Sequence, residues 1–407
     1  MADNYVAVIG TGPAGLMAAD ILSERGFNVH LYDRTSSPAR KLLLAGLGGL
    51  NLTHSESLES FVRHYSASLP VIEQAIRTFS ADHLVEWCEQ LGIHTIIGSS
   101  QRIFPQDMKA SPLVRAWLER LNKRNVRLFM KHDWQGWDED GSLIFKTDAE
   151  LKRIKPDAVV FALGGASWPR IGTDGGWKSL FEQEQIRVSP LKPANMGINI
   201  AWSSIFKDSH EGHPIKSVTF TYEGEIRRGE AIVTQYGLIG APVYAFSSRI
   251  YNTLAEGRLA YLKIDGKPDL KEEEIAARLS KARSKDSMTS KLRKSLNLSP
   301  VIIGLMREKT GKTLPSDVNQ LARLIKHIEL PITGTQGLDK AISTSGGLCL
   351  EEVNEHFMLT RKPGIFIAGE MLDWDAPTGG YLLQACFSTG AAAGIGAAEW
   401  LTQKKTA

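Results

Sequence analysis

The sequence has little cysteine, and its cysteines lie far apart. Among 407 residues only Cys88, Cys349 and Cys386 are cysteines. None of them forms a C-x-x-C pair, which argues against a disulfide framework, a zinc ribbon and a dithiol redox motif. Because free thiols persist in reducing compartments, we expect a cytoplasmic protein.

The sequence also lacks the signatures of several enzyme classes and any strongly apolar membrane segment. It has no H-E-x-x-H motif, no G-x-S-x-G motif and no cluster of metal ligands, so we expect no bound metal. The uncharged stretch 376–398 is long enough to span a bilayer. It is rich in Gly, Ala, Ser and Thr rather than Leu and Ile, which predicts a buried helix packed closely on a sheet. We therefore expect no membrane association.

What remains is an ordinary globular composition, with 43% hydrophobic and 23% charged residues. A chain of this length predicts two or three domains. The front of the chain reads as strand 5–9, helix 13–25 and strand 28–32. From about 190 to 267 the pattern changes to alternating β segments separated by turns, so a β-rich region is expected there.

The first 33 residues have the pattern of a dinucleotide-binding unit. Gly10 permits a tight turn after the first strand, Gly12 lets the backbone approach a pyrophosphate, and Gly15 lets the helix pack on the strand. The pyrophosphate would meet the positive end of this helix. Asp33 closes the second strand, where a carboxylate can accept hydrogen bonds from ribose hydroxyls. The pattern predicts a dinucleotide site but does not choose between NAD and FAD.

Two later segments favour FAD. The segment 364–370 is a strand that runs into a glycine turn, and Asp373, Asp375 and the pair Gly379-Gly380 follow before a long helix. This order is typical of flavoproteins in which the N-terminus of a second helix stabilises the reduced flavin. The apolar strand that ends at Gly164-Gly165 would return the chain to the same sheet.

A basic segment interrupts this pattern. Residues 278–326 contain 12 Lys or Arg and 3 Asp or Glu, a net charge of +9. Leu321, Leu324, Ile325 and Ile328 have helical spacing, so a separate helical element is expected. The segment reads either as a solvated basic face or as a surface for anions or nucleic acid. No RNA- or DNA-binding motif accompanies it.

Nearly the whole chain resembles the HI0933-like flavoproteins, a family that includes aminoacetone oxidase-like and bile-acid-reductase-like enzymes. The resemblance rests on residues 10–15, 40–53, 164–169, 236–242, 345–347 and 369–384. The loop before Asn51 departs from the family pattern, which is close to S-G-G-G-R-C-N. Here it reads Ala45-Gly-Leu-Gly-Gly-Leu-Asn51, without Arg or Cys. This difference indicates a separate subgroup, so no substrate is carried over.

The resemblance implies an α/β architecture with a discontinuous, Rossmann-like FAD-binding domain of the two-dinucleotide type. Its parts would be residues 1–190 and 335–407. The inserted domain 191–334 would be β-rich over 191–268 and would carry a small basic helical piece over 269–330. By position in the family pattern, Trp134 is expected to contact the adenine, and Lys41 is expected to lie along the cofactor.

Fingerprint and resemblance together define a set of residues expected to bind FAD. These residues are Gly10, Gly12, Pro13, Ala14, Gly15, Asp33, Arg34, Arg40, Lys41, Gly48, Gly49, Leu50, Asn51, Trp134, Ala162, Gly164, Gly369, Glu370, Asp373, Gly379, Gly380, Tyr381 and Leu382. No His or Cys has a recognisable flavinylation context, so the FAD is expected to be non-covalent.

The resulting prediction is an FAD-dependent oxidoreductase that transfers a hydride between flavin N5 and a small organic substrate. Only one dinucleotide fingerprint exists, so NAD(P)H is expected at most as a transient reductant. Two other classes stay open: a flavoprotein that binds tRNA through the basic insert, and a redox sensor without turnover. His54, Tyr236, Tyr381 and Trp168 are weaker candidates for substrate contacts. No catalytic residue, substrate or oligomeric state is assigned.

Overall fold

The computed structural model of the chain describes residues 5–65, 70–311 and 313–406. Residues 1–4, before the first predicted strand, and Lys312 of the basic segment lie outside the described residues. The chain divides into two compact units. The first comprises residues 1–192 and 343–407, and the second comprises residues 193–342.

The described residues form twenty strands and fourteen α-helices. The strands are β1 (Val6–Ile9), β2 (Val29–Asp33), β3 (Thr53–His54), β4 (Thr95–Ile97), β5 (Arg102–Pro105), β6 (Arg127–Met130), β7 (Asp133–Trp137), β8 (Leu143–Lys146), β9 (Leu151–Ile154), β10 (Ala158–Phe161), β11 (Lys192–Ala194), β12 (Ile198–Asn199), β13 (Pro214–Tyr222), β14 (Glu225–Thr234), β15 (Gly237–Ile239), β16 (Ala260–Asp265), β17 (Ile328–Ile332), β18 (Gly334–Thr335), β19 (Ser343–Ser345) and β20 (Ile365–Ile367). The helices are α1 (Pro13–Glu24), α2 (Arg40–Ala45), α3 (Leu58–Phe61), α4 (Pro70–Thr78), α5 (Ala81–Gln90), α6 (Ala110–Lys123), α7 (Trp177–Gln183), α8 (Ser204–His210), α9 (Ala241–Ala255), α10 (Glu272–Ser280), α11 (Met288–Leu296), α12 (Pro300–Thr310), α13 (Val318–Lys326) and α14 (Tyr381–Thr406).

The first unit is built on a five-stranded parallel sheet with the order β20-β10-β1-β2-β6. Strand β1 is buried along its whole length, as expected for a central parallel strand covered on both faces. At its carboxyl end Ile9 pairs with Tyr32 of β2 on one side and with Phe161 of β10 on the other. The chain order reverses at β1, so a crevice opens outside the carboxyl ends of these three strands.

Helix α14, which contains most of the uncharged stretch 376–398, packs against α1. A Cβ atom on Gly390 would lie 2.3 Å from the Ala14 carbonyl oxygen, and one on Gly394 would lie 3.0 Å from that of Ala18. The small residues therefore allow the close packing that the composition predicted, but at these two glycines the partner is helix α1 and not the sheet. Within residues 5–65, 70–311 and 313–406, no helix combines the length and apolar character needed to cross a bilayer.

A buried carboxylate ties α1 to the two helices that cover it. Asp20, 3% exposed, accepts from Trp87 Nε1 at 2.8 Å and pairs with Arg124 Nη1 at 2.6 Å. Arg120 Nη1 lies 3.4 Å from Asp20 Oδ2, the oxygen that also accepts from Trp87. Burial raises the pKa of Asp20, and the tryptophan hydrogen bond and the two arginines oppose that rise. The desolvated carboxylate is therefore stabilised mainly by these three partners.

We expect Asp20→Ala to lower the free energy of unfolding by about 2–3 kcal/mol, because it removes the shared acceptor of three donors. Asp20→Asn keeps an acceptor for Trp87 and should lose less than half as much. Urea denaturation of both variants checks this. Because asparagine fills nearly the same space as aspartate, equal losses would show that the cost comes from the lost charge and its pairing with Arg120 and Arg124.

The first unit also contains two smaller, three-stranded antiparallel sheets. One has the order β3-β5-β4 and the other β7-β8-β9. In β7, Trp134 contacts Phe161 of the parallel sheet with a ring-centroid distance of 4.5 Å. This contact places Trp134 beside the carboxyl end of β10.

The second unit has its own hydrophobic core beneath a seven-stranded sheet with the order β17-β16-β13-β14-β15-β12-β18. Helices α10 to α13 follow β16 and pack on this core. The expected helical run through Ile328 is wrong in its last position, because Ile328 begins β17. Residues 328–332 alternate between buried and more exposed positions and pair with β16, so the strand period replaces the helical one.

Candidate functional site

A cavity of about 390 Å³ lies in the first unit at the carboxyl ends of β1, β2 and β10. The glycine turn after β1, the end of β2 and the start of α2 form one wall. Residues 162–164 after β10, Trp134 of β7 and the loop 171–177 form another. Glu370 and Cys386 close one end. The cavity therefore occupies the crevice that the reversal of strand order creates.

The three glycines of the fingerprint have three different surroundings. A Cβ on Gly10, whose φ is +106°, would lie 2.2 Å from the Ala162 carbonyl oxygen, and one on Gly15 would lie 1.9 Å from that of Gly10. A Cβ on Gly12 would have nothing within 4 Å and would project into open space. Gly10 and Gly15 thus serve packing, whereas Gly12 leaves room for a ligand.

Helix α1 begins at this open position. Gly12 is its N-cap and offers no side-chain hydrogen bond, and Pro13 is the first helical residue. The backbone N–H groups of the first turn therefore point toward the cavity without a capping acceptor. N–H groups without a capping acceptor and the positive end of the helix dipole are suited to bind a phosphate group.

Asp33 at the end of β2 lines the cavity and also holds two neighbouring loops. Its Oδ2 accepts from the Thr11 backbone N–H at 2.8 Å and from the Thr11 hydroxyl at 2.5 Å. Its Oδ1 accepts from the Thr35 N–H at 2.8 Å and hydroxyl at 2.7 Å. A carboxylate has about four lone-pair sites, so a ribose hydroxyl would share or replace one of the two threonine hydroxyls.

Trp134 lines the cavity and has a buried, unsatisfied donor. Its side chain is 6% exposed, and its Nε1 has no hydrogen-bond partner among the described residues. A buried N–H without a partner is costly, so a ligand acceptor at this position would be favourable. Arg34, directly after β2, donates from Nε to the carbonyl of Gly172 in the loop 171–177 at 2.7 Å and pairs with Asp174 of that loop at 3.0 Å. These contacts fix the loop along the cavity.

A lysine–glutamate pair lies at the end of the cavity that Glu370 and Cys386 line. Lys41 Nζ donates to Glu370 Oε2 at 3.0 Å and to Ser167 Oγ at 2.5 Å. Glu370 Oε1 accepts from the Thr344 N–H at 3.0 Å. Burial and the nearby Glu370 raise the pKa of Asp375 to about 6. Burial also raises the pKa of the Cys386 thiol to about 12, which keeps this thiol protonated.

The cavity brings together more than half of the residues expected to bind FAD. Those that line it are Gly10, Gly12, Pro13, Ala14, Asp33, Arg34, Arg40, Lys41, Trp134, Ala162, Gly164, Gly369 and Glu370. They come from both parts of the first unit, because β20 returns the chain to the sheet beside β10 before residue 369.

The remaining predicted residues lie elsewhere. Those that do not line the cavity are Gly15, Gly48, Gly49, Leu50, Asn51, Asp373, Gly379, Gly380, Tyr381 and Leu382. Asp373 accepts from the Ser189 hydroxyl, which ties two loops together. A Cβ on Gly380 would lie 2.5 Å from backbone atoms of Thr53. Gly380 therefore lets the start of α14 pack against the segment 51–53, whatever else it does.

The segment 51–53 carries two unsatisfied polar atoms. Asn51 Oδ1 and Thr53 Oγ1 are both buried and lack a hydrogen-bond partner among the described residues. Because the Thr53 backbone contacts Gly380, this segment reaches the start of α14 at Thr53. Helix α14 reaches the cavity at Cys386, five residues after Tyr381. A ligand that extended past Cys386 toward this segment could satisfy both atoms.

Sequence reasoning missed a cluster of titratable side chains around Tyr381. Its hydroxyl donates to Glu56 Oε1 at 2.5 Å, and His64 Nε2 lies 3.1 Å from the same oxygen. The His54 ring stacks on Tyr381 with a centroid distance of 5.5 Å, and the His64 ring lies at 4.1 Å. Tyr65 donates to the Tyr381 carbonyl at 2.5 Å. No local motif joins residues 54–65 to 381, so only the fold shows the cluster.

The weaker candidates have distinct environments. The His54 side chain is only 17% exposed and belongs to the cluster around Tyr381. Trp168 is 41% exposed and has φ +55°, an unusual conformation for a bulky residue. Tyr236, in the second unit, is 50% exposed and has Lys340 Nζ 3.6 Å from its ring centroid.

Sheet, glycine turn and acid define the class of the first unit. A parallel sheet with a G-x-G-x-x-G turn, an acid after β2 and a cavity at the switch point is a Rossmann-like dinucleotide-binding domain. The open Gly12 position, the unsatisfied Trp134 Nε1 and the orphaned atoms of the segment 51–53 fit a long ligand with a phosphate in its middle. FAD has this form.

The particular family follows from comparison with known proteins. Residues 4–396 match the model of the HI0933-like protein Rossmann domain, and the chain belongs to this family. This confirms the resemblance and the Rossmann-like FAD-binding fold predicted from the sequence. The protein is a flavin-dependent oxidoreductase.

Two curated relatives and two solved structures are similar over nearly their whole length. A 3-dehydro-bile acid delta(4,6)-reductase of Clostridium scindens is 24% identical over 97% of this chain and 99% of the relative. A ribosomal RNA dihydrouridine synthase of Escherichia coli is 24% identical over 94% of this chain and 95% of the relative. The alignment with the structure of the 3-ketosteroid-delta4-(5alpha)-dehydrogenase of Rhodococcus jostii RHA1 covers 97% of this chain and 96% of that chain, with a TM-score of 0.51 and 17% sequence identity. The alignment with the structure of the 3-ketosteroid delta1-dehydrogenase of Sterolibacterium denitrificans covers 99% of this chain and 100% of that chain, with a TM-score of 0.51 and 12% sequence identity. These structures share the fold.

Proposed function

We propose that the protein binds FAD non-covalently and reduces a carbon–carbon double bond conjugated to a carbonyl group. The open Gly12 position at the start of α1 carries the cofactor part of this proposal, and Trp134, which lines the same cavity, adds a buried donor without a partner among the described residues. The activities named for the two curated relatives support the reaction type. Dihydrouridine formation and a delta(4,6)-reduction both saturate a double bond of that kind.

The residues of the cavity have separate roles in holding the cofactor. The first turn of α1 would bind the pyrophosphate, Asp33 a ribose, and Trp134 the adenine end. Lys41 and Glu370 would lie beside the ribityl chain, where an ion pair with further hydrogen bonds fixes both side chains. Asn51 and Thr53 would satisfy their buried oxygens against the flavin end.

The cluster around Tyr381 is suited to supply a proton. Saturating a conjugated double bond adds a hydride, which FAD supplies when it is bound, and a proton, which the protein must supply. Tyr381 Oη has a proton that is directed at Glu56 in this arrangement. His64, 35% exposed and 3.1 Å from Glu56, connects the buried tyrosine to solvent. We propose that Tyr381 donates the proton and that Glu56 and His64 restore it.

The proposal is tested on the purified protein in two stages. Heat denaturation should release FAD into the supernatant, and release of FMN or of no flavin would contradict the cofactor assignment. NADH, NADPH and dithionite are then compared as anaerobic reductants. Flavin reduction is followed by absorbance, and the reduced protein is then mixed with 4-androstene-3,17-dione or with cyclohexenone. Return of the oxidised flavin absorbance together with formation of a saturated product supports the reaction. Reoxidation by dioxygen alone would favour an oxidase, and no reoxidation at all a redox sensor.

Asp33→Ala should weaken FAD binding by one to two decades, because the charge-assisted hydrogen bonds of a carboxylate are worth roughly 1.5–3 kcal/mol. The same change also leaves the Thr11 N–H without its acceptor. Asp33→Asn keeps one acceptor oxygen, which can serve the Thr11 N–H, but removes the charge, and so separates the two effects. Flavin titration of the apoprotein measures the affinity, and an unchanged dissociation constant in Asp33→Ala would remove Asp33 from the ribose site.

A further inference from the structure

Much of the positive charge of the segment 278–326 is neutralised by carboxylates. Lys326 Nζ lies 2.7 Å from Asp265, and Lys309 Nζ lies 3.3 Å from Glu329. Arg323 approaches Glu272 at 3.8 Å. All three carboxylates lie outside the segment in sequence, so counting charges within it overstates its positive surface.

The remaining charge is concentrated in one place, which we call the basic hairpin: residues 278–294, from the end of α10 through the turn to α11. It contains seven Lys or Arg and one acid, a net charge of +6. Only Lys294 pairs with that acid, Asp286, at 3.1 Å. The other six cations form no ion pair with any described residue. They are Arg278, Lys281, Arg283, Lys285, Lys291 and Arg293.

The hairpin is anchored to the second unit at both of its helices. Leu279 of α10 and Leu292 of α11 are buried in the core of the second unit. Ser287 caps α11 by accepting from the Ser290 N–H at 3.3 Å. Arg307 of α12 reaches across to the Thr289 hydroxyl at 2.8 Å and adds a further positive charge. The positive surface therefore belongs to a packed element.

The chemistry of the hairpin selects among anionic partners. Between residues 278 and 297 no large hydrophobic side chain is exposed. A surface that binds membranes stably usually adds apolar side chains to its cations. Serine and threonine hydroxyls stand between the cations instead, and such groups pair with phosphate oxygens and with ribose 2′-hydroxyls. We propose that the basic hairpin binds the phosphate backbone of RNA.

This surface is independent of the flavin chemistry proposed above. Six unpaired cations that contact phosphates predict a dependence of log K on log salt with a slope of roughly −4 for single-stranded RNA. Without contacts to bases the binding should be largely insensitive to sequence, with a dissociation constant in the range of about 1–100 μM near physiological salt.

The test is fluorescence anisotropy of the full-length holoprotein with a labelled 30-nucleotide RNA at several NaCl concentrations. In the triple variant Lys281→Gln, Arg283→Gln, Lys285→Gln we expect the slope to fall by about 2 and the affinity to fall at least about 10-fold. The control variant Lys123→Gln, Lys131→Gln, Lys155→Gln removes the same net charge. Each of its lysines pairs with a carboxylate, at 2.7, 2.6 and 3.2 Å. The control should bind RNA nearly as well as the parent.

Each other outcome overturns the proposal. Equal losses in the two variants would mean that net charge alone attracts RNA. Tighter binding of a DNA duplex of the same length, or binding of phosphatidylserine vesicles without binding of RNA, would assign the hairpin to another partner. Absence of RNA binding at 100 mM NaCl would show that the basic hairpin is not an RNA-binding surface. Flavin content of each variant is measured alongside, so that loss of folding is distinguished from loss of binding.

Discussion

Gly12→Val should yield a folded protein that has lost its flavin. The backbone of Gly12 has φ −74° and ψ 179°, a conformation open to any residue. Its Cβ would have no neighbour within 4 Å, so the added isopropyl group would enter the cavity where the phosphate is expected. We expect the dissociation constant for FAD to rise at least about 100-fold, or about 2.7 kcal/mol. Flavin titration and the melting temperature of the apoprotein are the two measurements.

Gly15→Ala is the matched comparison for that experiment. Only one methyl group is added, but it would lie 1.9 Å from the Gly10 carbonyl oxygen. Backbone atoms cannot move aside cheaply, so we expect the apoprotein to melt at a lower temperature than apo-Gly12→Val. The opposite ranking, with Gly12→Val the less stable apoprotein and retaining flavin, would mean that the open space at Gly12 is not the cofactor site.

The distinct roles of these glycines could be predicted from the sequence because they depend on local geometry. A turn between a strand and a helix fixes which of the three positions faces the sheet, the helix and the ligand. The composition of residues 376–398 predicted close packing for the same reason: helices approach only where side chains are small. Gly390 and Gly394 meet this requirement against α1.

Features that depend on distant contacts could not be predicted in this way. Lys41 and Glu370 are 329 positions apart, and nothing near either residue indicates their ion pair. The ion pairs of the segment 278–326 could not be predicted either, because the partner carboxylates Asp265, Glu272 and Glu329 lie outside it in sequence. The Glu56–Tyr381 hydrogen bond joins residues that only the packing of α14 against the segment 51–53 brings together.

The cluster around Tyr381 gives a prediction that a merely structural tyrosine would not satisfy. Tyr381→Phe keeps the ring that stacks on His54 and packs against Phe61, at 5.5 and 4.9 Å, and removes only the hydroxyl. In an enzyme that reduces cyclohexenone, general acid catalysis contributes about 10²–10⁴-fold. We therefore expect the rate of product formation to fall by that factor, while FAD content and the rate of flavin reduction by dithionite stay unchanged.

Asp375, a buried carboxyl group with a raised pKa, is the alternative donor that the proposal must exclude, and the pH dependence of the rate separates it from Tyr381. Its pKa, raised to about 6, means that a rate dependent on protonated Asp375 would fall as the pH increases through 6. A phenol donor remains protonated well above that pH. We expect the parent rate to stay level from pH 6 to 8, and Asp375→Asn to retain most of it. Glu56→Gln should slow product formation less than Tyr381→Phe, because it weakens reprotonation without removing the donor. A rate that falls through pH 6 and is lost in Asp375→Asn, with Tyr381→Phe fully active, would assign the proton to Asp375.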